Sequence, residues 1–164
     1  MSIKQLNASH DTLEDRIVLR VTTDTADHGG QEFRFWLTRA RTLWLMEQVD
    51  QGVVAVLQQQ HSPEQAEQIA SFQQEALAQA SNFGTPFEEA PTRPLGDVPQ
   101  LVHHMQLGWS AAQCSLVLQL QNGTNITITL TEQLMTQTKM LLQQISIQAG
   151  WVGAAQAVAP QQVH

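Results

Sequence analysis

Five arginines, Arg16, Arg20, Arg34, Arg39 and Arg41, fall within a short stretch that also holds Trp36. A guanidinium carries forked donors that match a carboxylate or a phosphate, and it stacks on an indole face. This group is therefore a candidate surface for an anion or an acidic partner. The competing arrangement is internal: Glu64, Glu67 and Glu75, or Glu88 and Glu89, would neutralise the arginines within the same chain. Arg39 and Arg41 fall where a helix should begin, and cations there oppose the helix dipole. An anion near that helix start, or a contact with Glu47, would offset this.

Other reactive side chains are sparser. His103 and His104 are adjacent on an expected strand, so they point to opposite faces and cannot share one metal ion. His10, His28 and His61 stand at no recognised ligand spacing, and no metal or cofactor is expected. His103 and Trp109 share the apolar side of that strand, where a hydrogen-bonded core histidine is the simpler expectation. Cys114 has no nucleophile signature around it and reads as a small buried residue. GxSxG, HExxH, a phosphate-binding glycine loop and a dinucleotide fingerprint are all missing. These absences point away from an enzyme.

Composition narrows the classes further. The 164 residues suit one domain with a sizeable core. Charged residues make up only 14%, and glutamine supplies much of the polar share. A net charge of −7 argues against nucleic acid as a partner. One cysteine excludes an internal disulfide framework. No apolar run approaches the length of a membrane span, and no secretory signal pattern opens the chain, so a cytoplasmic protein is expected.

The elements that must hold these side chains repeat. Ile17, Leu19 and Val21 alternate, as do Phe33, Phe35 and Leu37, and a helical pattern through Met46, Val49, Val53 and Val56 follows. Leu116, Leu118 and Leu120, then Ile126, Ile128 and Leu130, then Leu134, Thr138, Leu141 and Ile145 restate the plan. Thr38 and Thr131 stand at matching N-cap positions. Weaker strand patterns, SIKQLNA and LVHHMQLGW, precede each pair. The expected fold is α+β: two antiparallel strand–strand(–strand)–helix units with pseudo-twofold packing, plus a connecting helix. The units run over 1–60 and 99–151. Between them, 61–98 holds a helix opened by a capping box at Ser62–Gln65 and a Pro/Gly-rich linker; 152–164 is a disordered tail.

Hairpin registers place the side chains. In LQLQNGTNITI, a three-residue loop with Gly123 in the left-handed region pairs Leu118 with Ile126 and Leu116 with Ile128. Carried to the first hairpin, this register sets Leu19 against Phe33 and Ile17 against Phe35. The outer face then opposes Arg20 to Glu32, Val18 to Arg34 and Arg16 to Trp36. A slip by two would oppose Arg20 to Arg34, which is unfavourable. The longer first loop, around TADHGGQ, is expected to be a mobile tip.

EDRIVLRVTTD followed by EFRFWLTRARTLW resembles a family of short proteobacterial proteins with no assigned function, over the N-terminal part of the chain. The resemblance implies a bacterial source and carries no residue roles. The expected function is a non-enzymatic interaction or assembly protein with a protein partner, or a homodimer, using the Arg/Trp face. Helix apolarity on more than one side at Trp44, Leu45, Val53, Val54 and Leu57 supports that expectation. The alternative is a small-molecule or anion site in a cleft between the units, lined by Arg34, Trp36, His103 and Trp109.

Overall fold

The structure, a computed structural model, describes residues 3–24, 29–80, 86–110 and 113–153. Its elements are β1 (Ile3–Asp11), β2 (Arg16–Thr23), β3 (Gln31–Leu37), α1 (Arg39–Leu57), α2 (Pro63–Ala80), β4 (Gln100–Trp109), β5 (Gln113–Leu120), β6 (Asn125–Thr131) and α3 (Glu132–Gln148). The expected tip at TADHGGQ and the expected tail fall largely outside the described residues.

One six-stranded sheet runs in the order β1-β2-β3-β4-β5-β6. All neighbours are antiparallel except β3 and β4, which meet in parallel at Phe35–Gln100 and Trp36–Leu101. A parallel pair needs a crossover; here α1 and α2 lie within it. The helices α1 and α3 pack on the sheet and on each other. Each reaches beyond its own strands: α1 lies against β4, and α3 crosses from β5 and β6 to β1. The edge strands β1 and β6 also approach each other, so the sheet curls around a single core.

Inward residues of the alternating strands form that core, with Ile17, Leu19, Phe35, Leu118 and Leu130 buried against Leu45, Val49, Met135 and Leu142. Burying such a side chain is worth about 1.5–3 kcal/mol. Helix starts follow local chemistry. Thr38 Oγ1 accepts from the Arg41 N–H, and Thr131 Oγ1 from the Leu134 N–H. Ser62 and Gln65 exchange hydrogen bonds, the reciprocal capping box expected at the start of α2.

The second hairpin has the expected register, with Leu118 opposite Ile126, Leu116 opposite Ile128, and Gly123 at φ +89°. The first hairpin differs. It slips by two residues, pairing Ile17 with Leu37, Leu19 with Phe35 and Val21 with Phe33. A shift of two keeps every side chain on its face, and this one gives all three inward pairs apolar partners. The expected register would have left Leu37 and Val21 without them. The consequence is that Arg20 does oppose Arg34.

Two further departures come from packing. A bulge between Val102 and His104 shifts the inward face of β4 from Leu101 and His103 to Val102, so His103 is exposed rather than a core histidine. Gly52, a weak helix former, lies under Trp109: a Cβ there would stand 2.0 Å from the indole Nε1. The glycine is what lets β4 approach α1.

Candidate functional site

Arg16, Arg20, Arg34 and Trp36 lie on the face of the sheet away from the helices, while Arg39 and Arg41 stand in the first turn of α1; residues 86–99 run across that outer face as a strap. Backbone pins the strap at β3, where the Glu32 N–H donates to the Thr92 carbonyl at 2.8 Å. At β1 the Gln5 side-chain amide donates to the Pro86 carbonyl and accepts from the Glu88 N–H, at 2.9 and 3.0 Å.

Side chains complete the closure. Glu32 lies on the outer face yet its side chain is fully buried beneath the strap. Its Oε2 accepts from Arg34 Nε and, at 3.2 Å, from Arg93 Nε. Arg93 also reaches Glu89 at 3.0 Å and Asp97 at 2.9 Å. Glu89 lies 3.5 Å from Arg34 and 3.6 Å from Arg20, and Arg20 stacks on Phe87 at 4.2 Å. Three guanidinium groups thus meet three carboxylates, which is why the Arg20–Arg34 opposition is tolerated. The Asp97 hydrogen bond, with the charges of Glu32 and Glu89, raises the Arg93 pKa above its ordinary value. The same hydrogen bond holds the Asp97 carboxyl below its own.

Of the carboxylates expected to neutralise this face, Glu89 takes part together with Glu32 and Asp97, while Glu64, Glu67 and Glu75 sit on α2, on the helical side. The remaining candidates scatter. Arg16 stacks on Trp36 at 3.8 Å and pairs with Glu14. Arg39 donates to the Trp151 carbonyl at 3.1 Å, and Arg41 is half-buried in the first turn of α1. Arg34 and Trp36 lie on one face of the sheet, and Trp109 lies on the other against α1, so they do not line a common cleft. His103 stands exposed at the bulge.

A second polar cluster joins the β1–β2 turn to the end of α3. Asp15, at φ 54°, accepts from Trp151 Nε1 and contacts His10 Nε2, each at 2.8 Å. The Trp151 hydrogen bond, then that of His10, lowers the Asp15 pKa. Cys114 is fully buried, and burial pushes its thiol up to about 11, so thiolate chemistry at neutral pH is suppressed. Among the described residues no three His, Cys, Asp or Glu side chains converge on a metal position.

An open concavity lies on the helical side. A groove of about 1630 Å³ runs between α1, α2 and α3. Val54, Ala70, Leu77 and Ile147 supply apolar surface, with the buried Val53 and Met140 beneath, and glutamines and carboxylates rim it. Lys139 is buried in its wall with its ammonium 3.1 Å from Asp50 Oδ1. The groove exists because α2 packs on α1 and α3 rather than on the sheet.

Sequence patterns did not single out this groove or Arg93. Glu89, Arg93 and Asp97 do stand four apart in the chain with alternating charge, a readable signal inside a stretch whose prolines and glycines suggest only a linker. The Lys139–Asp50 contact had no local signal, since its partners come from helices far apart in sequence. Among the described residues no helix is long and apolar enough to cross a membrane. Comparison with family models, curated protein sequences and solved structures yields no match.

Proposed function

We propose that the chain is a non-enzymatic cytoplasmic interaction or assembly protein that receives a partner segment in the groove between α1, α2 and α3. The observation that carries this reading is the groove itself: a large concavity with apolar walls, open to solvent, built entirely from helices. Apolar surface held open in this way is the usual ground of a recognition site. The Arg/Trp face loses its claim because the strap already satisfies its charges. The lone buried thiol suits a reducing compartment. The reciprocal reach of α1 onto β4 and of α3 onto β1 supports two βββα units related by an approximate twofold. In that arrangement the duplicated helices lie side by side and form two walls of the groove.

Site-specific photo-crosslinking in the native host tests the proposal. A photoreactive residue at Gln73 or Gln144, both on the groove, should trap one discrete partner. The same residue at Gln119, on the outer face of the sheet, should not. Equal capture from both faces, or none from the groove, would refute it.

A further inference from the structure

We infer that the groove takes a cationic amphipathic helix. This rests on the groove being a partner site. Its dimensions suit that occupant. The groove residues of α2 extend from Glu67 to Ala78, about 16 Å of helix axis. Three turns of a helix 10–12 Å across fill roughly 1300–1800 Å³, and the groove holds about 1630 Å³. Its walls are helices and offer no strand edge, so an extended peptide has no backbone ladder to join.

Charge selects the sign of the partner. The groove carries Asp50, Glu67, Glu75 and Glu132 against one cation, Lys139. Asp50 and Lys139 neutralise each other, which leaves three carboxylates around an apolar floor. The chain's arginines are concentrated elsewhere, and Arg20, Arg34 and Arg93 are bound to Glu32, Glu89 and Asp97 under the strap. A second copy of the chain would bring another acidic groove and a net charge of −7. Like charges across a symmetric interface repel, so a second copy fits poorly. A helix with leucines on one side and lysines flanking them fits both floor and rim.

Designed, fluorescently labelled peptides of about four turns test this by anisotropy against the intact protein. One has a leucine face flanked by lysines; the others replace lysine by glutamate or by glutamine. The lysine peptide should bind, and more weakly at about 200 mM than at about 50 mM salt. The variant Glu67→Gln/Glu75→Gln/Glu132→Gln should weaken it about tenfold, from three charge contacts of ordinary surface strength. The control Glu14→Gln/Glu47→Gln/Glu88→Gln, with the same change in net charge, should weaken it less than about twofold. Circular dichroism confirms that both variants are folded. Equal binding of the glutamate or glutamine peptide overturns the cationic assignment, as does equal weakening by the control. Failure of all three peptides while Gln73 still cross-links a partner overturns the helix assignment and leaves the groove reading standing. Loss of the Gln73 cross-link removes both.

Discussion

Glu32→Gln is the sharpest test of what holds the strap. Glutamine keeps the volume and one acceptor but removes the charge. In the native protein the fully buried carboxylate accepts from Arg34 and Arg93 through one oxygen, and the other oxygen, Oε1, has no partner among the described residues. Hydrogen bonds to charged groups contribute about 1.5–3 kcal/mol and neutral ones about 0.5–1.5, so two weakened bonds lose about 2 kcal/mol. Removing one member of a buried ion pair costs about 3–5 kcal/mol when the remaining charge is sealed from water. Here Arg34 and Arg93 keep 19% and 23% of their side chains exposed and retain Glu89, so the lower figure applies. For a chain of this size about 2 kcal/mol corresponds to roughly 4–8 °C in Tm. The Glu32 amide gives a local readout, because it donates to Thr92 of the strap. Its hydrogen exchange should accelerate more than that of core amides such as Leu118. In a double-mutant cycle, Arg93→Gln should cost less in the Glu32→Gln background than alone. An unchanged Tm with unchanged exchange at Glu32 would refute the reasoning. So would a rise in stability, which would mean that desolvation of the carboxylate outweighs its bonds.

Three further outcomes follow from the same geometry. Gly52→Ala places a methyl group against the Trp109 indole, and should destabilise by about 1–3 kcal/mol in denaturant titration; Trp109→Leu in the same chain should recover part of that loss. Asp50→Ala strands the buried Lys139 ammonium and should cost more stability than Lys139→Met, which leaves only the half-exposed Asp50 behind; equal costs would contradict the asymmetry. The Asp15 pKa is depressed on folding, so its contribution is present above the unfolded-state value and is lost as pH falls through the folded-state value. The stability difference between the native chain and Asp15→Asn should therefore shrink on acidification. Asparagine tolerates the positive φ at this position, so the turn survives; a difference that persists unchanged to low pH would contradict the assignment.

Local patterns set most of the elements. Alternation gave the inward faces of β2, β3, β5 and β6, and capping chemistry gave the starts of α1, α2 and α3. The three-residue loop of residues 121–123 determined the second hairpin, because Gly123 has to sit in its left-handed position. Each of these is decided by neighbours a few residues apart, and such information is present in the chain before it folds. The first hairpin shows the limit. Its longer loop imposes no register, and the choice passed to the three inward pairs between β2 and β3. A repulsive Arg20–Arg34 opposition was then acceptable only because Glu89 and Arg93 arrive from residues more than fifty positions later.

The groove lies wholly on the far side of that limit. Sequence by itself determined that this chain is an α+β protein with two strand runs, a mildly amphipathic middle helix and a surplus of carboxylates. Tertiary structure decided where that surplus goes. Packing of α2 on α1 and α3, rather than on the sheet, left a concavity with three unmatched carboxylates. Folding of the strap onto the opposite face engaged Arg20 and Arg34. Periodicity reports which side of an element is buried, but not what it is buried against. Pairings between distant segments depend on chain topology, and no local spacing encodes them.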